Sequence, residues 1–330
     1  MNKYYLNILL FLFIIVPLRS QQESSFNHYM FNSQLFNPAF VGLEENLTIS
    51  SLNNIQWVGF DGNPSTNSLL FDASLDNNLG VGAEVISDRI GPLNSNYLAI
   101  DLSYHLPLND KSNLSVGLKL SGNDHNINLS ELQYDNLSDP TAQVKESYFL
   151  TNIGFGLYYY TDNLYLGFSV PYFFQPNKIN KQRHLYFSGG YKKSLGSNFK
   201  INPNFLIKKT KNSPTSISLS SILFYNENLW IGANFGSSNK NFTSPNIDGG
   251  EISFMTGFKL SKSFTLGYSY SSSIGKWTSS YNSNSHEIYI KFKTGNSFTT
   301  QALKPPLIEY TFLYPIFFKL SAAKADLKPP

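Results

Sequence analysis

Cysteine is missing from this 330-residue chain. That excludes disulfides, thiolate metal sites, a cysteine nucleophile and a lipid-modified cysteine. Charge is scarce: Lys, Arg, Asp and Glu make up 14% of residues, and 25 basic against 22 acidic side chains leave a formal net charge of +3. So even a balance gives nucleic acid or an acidic substrate no electrostatic footing. No apolar run reaches the ~20 residues of a helical membrane span. A mean hydropathy of -0.21 likewise excludes a bundle of membrane helices, but not a membrane barrel, whose strands alternate apolar and polar. Signatures of catalysis are lacking too, with no G-x-S-x-G elbow, P-loop, H-E-x-x-H or EF-hand loop. The histidines, His28, His105, His125, His184 and His286, stand apart, and none has another His at metal-ligand spacing. The expectation is a noncatalytic protein without metal or cofactor.

What is plentiful is aromatic surface: 15% of residues, with 21 Tyr and 27 Phe. The stretch from Asn94 to Ser121 shows how it is used. Leu98, Ile100, Leu102, Tyr104 and Leu106 alternate with Ala99, Asp101, Ser103 and His105; after the turn Asn109–Asn113, Leu114, Val116, Leu118 and Leu120 alternate with Ser115, Gly117, Lys119 and Ser121. Period two places one set on each face of a β-hairpin, greasy on one side and wet on the other.

The pattern repeats almost to the end of the chain, giving about fourteen predicted strands from 46–58 to 284–293, most long enough to cross a bilayer at a tilt. Their connections alternate. Short polar turns such as Asp76-Asn77, Thr161-Asp162-Asn163 and Asn226-Glu227-Asn228 are separated by longer links, including Gly59–Asn63, Ser87–Leu93, Gly122–Lys145 and Ser237–Ile247. Thr210–Ser213 is the one compact link in the long series. This rhythm predicts an all-β, up-and-down antiparallel transmembrane barrel with tight periplasmic turns and long outer loops. A Greek-key sandwich has no reason to keep it. An even strand number and a short second link return both barrel ends to the periplasm. The polar positions Asp101, Ser103, His105 and Lys119 are then lumen-lining candidates. Ser103 and His105 share that face, but it is the polar, lumen side, so the reading is a lumen-lining hydrogen-bonded histidine rather than the interfacial Ser/His of a membrane lipase.

Outside the barrel at 46–293 the chain divides into three further parts. Lys3, the apolar run Leu6–Val16, Pro17 and Ser20 read as a signal peptide over 1–20. Residues 21–45, rich in Asn and aromatics, show no clean period and read as an irregular N-terminal segment, a luminal plug or a periplasmic collar. The tail, 294–330, breaks the strand pattern: Pro315 interrupts Leu307–Leu320, and Leu303-Lys304-Pro305-Pro306 recurs as Leu327-Lys328-Pro329-Pro330. It reads as a docking peptide or a disordered extension.

Particular residues resemble a known family. Tyr29-Met30-Phe31-Asn32, Asn37-Pro38-Ala39-Phe40-Val41-Gly42, Gln56-Trp57-Val58-Gly59-Phe60-Asp61-Gly62 with Pro64 and Thr66, and Ser87-Asp88-Arg89-Ile90-Gly91-Pro92 together resemble the start of PorP/SprF outer-membrane proteins. Ser285-His286-Glu287-Ile288 is similar to that family's final strand. The resemblance spans 21–294; Val41 stands where the family more often has a small residue, and the tail has no counterpart. It implies a component of the type IX secretion system in the outer membrane of a Gram-negative bacterium, which in some cases supports gliding on adhesins. The implied partners are the C-terminal domain of a secreted cargo protein or adhesin and other type IX components, among them a periplasmic peptidoglycan-binding lipoprotein; outer-membrane lipid surrounds the barrel. Candidate partner-binding or plug residues are Tyr29, Met30, Phe31, Asn37, Pro38, Phe40, Gln56, Trp57, Gly59, Phe60, Asp61 and Gly62. A FadL-like or porin channel for small solutes shares the same architecture and is the alternative, because fold does not fix function.

Overall fold

The computed structural model describes residues 26–44, 46–75, 78–132, 144–174, 183–211, 213–239, 250–274 and 284–297. The expected signal peptide, most of the tail and the middles of several long links lie outside them.

The described residues form β1 (Asn46–Ile55), β2 (Ser65–Leu75), β3 (Leu79–Ile90), β4 (Leu93–Asn109), β5 (Ser112–Asn128), β6 (Lys145–Thr161), β7 (Leu164–Val170), β8 (His184–Tyr191), β9 (Lys193–Leu195), β10 (Phe199–Thr210), β11 (Thr215–Tyr225), β12 (Leu229–Asn239), β13 (Gly250–Lys259), β14 (Phe264–Ile274) and β15 (Asn284–Ser297). β8 and β9 both lie against β10 in one continuous register, Asn204 opposite Gly190 and Ile201 opposite Lys193. They are one stave interrupted at Lys192, so the barrel has fourteen. Every stave pairs antiparallel with its sequence neighbours, and β1 pairs with β15 to close the ring. Closure matters in lipid, where an unpaired strand edge has no water to satisfy its N–H and C=O groups.

The wall is inverted relative to a soluble protein. On β4 and β5, Leu98 and Leu120 are about 60% exposed, while Asp101 and Lys119 are within 1% of complete burial. The same reversal recurs at Phe149 and Ile153 on β6 and at Phe254 on β13, which point out, against Asn152 and Ser253, which point in. Apolar side chains facing hydrocarbon and polar ones facing a lumen is the arrangement period-two alternation requires of a membrane barrel.

Several boundaries depart from the sequence expectation, among them the end of β5, which runs on to Asn128 into the expected link Gly122–Lys145. The link expected to be long between Ser87 and Leu93 is the two-residue connection Gly91–Pro92, because the β3–β4 ladder persists to Ile90 opposite Leu93. Gly91 makes that turn possible with φ of 54°, and its N–H donates to Gly62 O at 2.9 Å. β1 stops at Ile55 rather than running to 58, since Trp57 adopts a left-handed φ of 52°. β15 continues to Ser297, opposite Asn46, so its ladder takes in 294–297 at the head of the expected tail.

Candidate functional site

Residues 26–44 cross the interior of the ring. Three short 3-10 turns, Tyr29–Phe31, Ser33–Leu35 and Pro38–Phe40, fold the segment on itself. The local chemistry of the third is legible: the Asn37 side chain accepts from Ala39 N at 3.0 Å while Pro38, with no N–H to satisfy, occupies the first turn position.

The segment is fastened at its beginning to β15. Glu287 accepts from Asn27 N at 3.0 Å, from His28 N at 2.9 Å and from His28 Nδ1 at 2.5 Å, and both side chains are fully buried. Asn27 Nδ2 donates to Ser269 and Ser271 on β14, and Ser253 on β13 donates to Asn27 Oδ1. His28 stacks on Tyr289 with ring centroids 5.4 Å apart and meets Trp230 edge-on at 5.3 Å. Phe31 lies between the same two rings. Leu52, Ile222, Trp230, Met255 and Tyr289 form an apolar cluster there, with Met30, Phe31 and Leu35 packed on it.

The middle is held by a buried charge cluster. Lys119 Nζ donates to Glu84 Oε1 at 2.5 Å and to the Gln34 carbonyl at 3.3 Å, and lies 3.3 Å from Asp101. The Gln34 side chain donates to Asp101 and to the carbonyls of Phe71 and Ala83. Opposite, Phe36 stacks on Tyr186, Ser169 donates to Phe36 O at 2.6 Å, and Tyr29 OH meets Ser220 at 2.9 Å. Burial pushes the Tyr29 phenol up to about 12, a hydrogen bond with Ser220 partly opposing the rise, so it stays neutral.

The far end descends to β1 along β2–β6. Asn37 Nδ2 donates to Leu157 O, Phe40 meets Tyr158 edge-on, and Val41 O accepts from Ser103 at 2.6 Å and from His105 Nε2 at 2.9 Å. Space for this backbone comes from inward glycines: a Cβ on Gly117 would overlap Pro38 and Ala39, and one on Gly156 the Asn37 side chain. Glu44 closes the run in an ion pair with Lys291 and 3.0 Å from Lys293. Burial alone raises the Glu44 pKa, but Lys291 and then Lys293 outweigh it and hold the carboxyl below its usual range.

The sequence candidates therefore fall into two places. Tyr29, Met30, Phe31, Asn37, Pro38 and Phe40 lie within the ring, together with Asp101, Ser103, His105 and Lys119 on the wall they touch. Ser103 and His105 both reach the Val41 carbonyl and lie 3.1 Å from each other, and His105 Nδ1 meets Tyr160 OH at 3.2 Å. Gln56, Trp57, Gly59, Phe60, Asp61 and Gly62 form a separate loop at the other end, where Trp57, Val58 and Phe60 are exposed. That loop is tied on both sides, Val58 N to Asn284 O and Gly91 N to Gly62 O. Sequence reasoning missed Glu287, Glu84, Asn27, Gln34 and Trp230. The available signal was parity: Glu84 follows Gly80 and Gly82 on the inward face, where successive residues without side chains announce a second backbone close by.

Among known proteins, the family model described as type IX secretion system membrane protein PorP/SprF matches residues 18–292. No curated protein matches. Of solved structures, the CymD monoaromatic hydrocarbon channel aligns with TM-score 0.51 at 13% identity, over 84% of this chain and 95% of that one. The Ralstonia pickettii toluene transporter TbuX gives 0.47 at 10% identity over 81% and 92%, and the Acinetobacter baumannii outer membrane protein Omp33 gives 0.46 at 11% over 77% and 100%. At such identities the likeness is one of fold alone, and the 0.51 alignment carries it.

Proposed function

Since the chain belongs to the PorP/SprF family of type IX secretion system membrane proteins, we propose that it is a noncatalytic outer-membrane barrel that binds secreted cargo through the cargo's C-terminal domain and helps export it or anchor it at the cell surface. Membership places it among type IX components in the outer membrane. In this reading the short turns and both barrel ends face the periplasm, where a peptidoglycan-binding lipoprotein is the expected neighbour, and the long links face outward.

The observation that carries the reading is residues 26–44 themselves. Pinned from Glu287 on one wall to Lys119, Ser103 and His105 on the other, they act as a plug, which disfavours free passage of solutes and leaves the outer rim as the surface for a macromolecule. The loop Gln56–Gly62 is the docking element. Its exposed Trp57 and Phe60 supply apolar anchors of the type that dominates protein interfaces, and its tethered backbone costs little further ordering on binding. An arriving β-rich domain has no barrel edge to extend, so its contacts are made with this loop and its outer neighbours.

Purification of the tagged protein from native membranes in mild detergent, with mass spectrometry of what remains bound, tests this. A large secreted protein held through its C-terminal domain, and lost on Trp57→Ala with Phe60→Ala, supports docking. A bare barrel that conducts ions in a planar bilayer supports the small-solute channel instead.

A further inference from the structure

The short-turn end of the barrel is electrically lopsided. Lys200 on β10 and Lys259 on β13 continue the inward parity of Asn202 and Asn204 and of Ser253 and Met255, and Lys192 continues that of Tyr186 and Ser188 on β8. All three lysines are exposed at the mouth. They converge on the β11–β12 turn, where Asn226 and Glu227 both take left-handed φ, 49° and 57°. Glu227 ion-pairs with Lys200. Its carboxyl is held below its usual range by that hydrogen bond and by the charge of Lys200, then by Lys259 and Lys192. Glu227 thus lies within the field of three ammonium groups and ion-pairs with one of them. Asp162 stands in the neighbouring β6–β7 turn, whose Asn163 O accepts from Lys192 N at 2.7 Å, and Lys111 of the β4–β5 turn lies on its other side.

The surplus has no role in the fold. Mutual repulsion of converging like charges opposes the compact state, and polar turn residues would close these hairpins as well. Nor does parity suit lipid. Phe199, Tyr225 and Phe258 occupy the alternate positions and face outward, so a lipid phosphate beside the wall would meet Lys193, which shares the outward parity of Ile201.

We propose that Lys192, Lys200 and Lys259 form a docking surface for an acidic segment of a periplasmic protein. The partner's carboxylates complete the neutralisation that Glu227 begins, and the attraction is steep in salt because the groups are exposed. The compartment rests on the reading that the short turns face the periplasm.

The test uses the full chain in nanodiscs and a fluorescein-labelled 20-residue polyglutamate peptide, read by anisotropy. The expected result is binding that weakens at least tenfold between 50 and 500 mM salt and at least tenfold in K192Q/K200Q/K259Q, with K111Q unchanged and heat-modifiable gel mobility confirming folded barrels. Glu227→Gln is a gain-of-function check, tightening the peptide at least twofold. Equal affinity in wild type and the triple variant overturns the proposal, as does loss of binding whenever the nanodiscs contain phosphatidylglycerol, which would assign the lysines to lipid. Placement is read separately. The chain has no cysteine, so Lys262→Cys offers one site to a membrane-impermeant maleimide; labelling in intact cells overturns the periplasmic placement while leaving the peptide result to stand on its own.

Discussion

Glu287, on the stave that closes the barrel, accepts the backbone N–H of His28 at 2.9 Å; 259 residues of sequence separate them. The same carboxylate takes Asn27 N and His28 Nδ1, so one inward side chain satisfies three donors of the luminal segment. Glu287→Ala leaves them buried without an acceptor, at a cost of about 3–5 kcal/mol. Urea unfolding in detergent is expected to show that loss, and a single cysteine at Asn32 becomes reactive to a water-soluble maleimide that leaves it untouched in the parent.

Lys119 presents a different dependence. Lys119→Met strands Glu84 and Asp101 as two buried carboxylates, again a loss of about 3–5 kcal/mol. The triple change Lys119→Met, Glu84→Gln, Asp101→Asn is expected to recover more than half of it, because removing all the charges removes the desolvation penalty together with the attraction. A triple variant no more stable than the single one would show that packing, not charge, accounts for the loss.

Close approach of two backbones gives a third handle. Gly117→Val places side-chain atoms where Pro38 and Ala39 stand. The outer ladder of β5 does not depend on this position, so the barrel is expected to keep its heat-modifiable mobility while the luminal segment is displaced. Single-channel conductance in a planar bilayer should rise severalfold over the parent; unchanged conductance would mean that the segment does not block the lumen.

The outward face makes its own prediction. Leu118 is 58% exposed in mid-strand, where only lipid can cover it. Leu118→Arg is expected to destabilise the folded barrel by about 2–4 kcal/mol in bilayers, whereas Leu118→Phe is close to neutral. Folding titrations into phosphocholine vesicles measure both.

The Glu44 carboxyl sets a pH dependence. Its folded pKa is depressed by Lys291 and Lys293 against the opposing effect of burial, so its stabilisation is complete above the unfolded carboxylate range of roughly 4.3 and is lost as pH falls through the lower folded value. The stability difference between the parent and Glu44→Gln is therefore expected to stay flat from about pH 7 to about 5 and to shrink below about 4. Denaturant midpoints across that range check it.

The sequence by itself determined the staves and their faces. Alternation of Leu98, Ile100 and Leu102 with Ala99, Asp101 and Ser103 fixes which side chains meet lipid, because strand geometry allows only two directions. Short turns such as Thr161–Asn163 fix which strands are neighbours. Motifs such as Asn37-Pro38-Ala39-Phe40 pointed to the family. Tertiary structure alone decided what fills the ring. No local rule relates Asn27 and His28 to Glu287, or Gln34 to Lys119, since those pairs meet only after β15 has closed on β1 and the segment has been carried inside. The same holds for Lys192, Lys200 and Lys259: they are far apart in the sequence, and only the curvature of the wall brings all three toward Glu227.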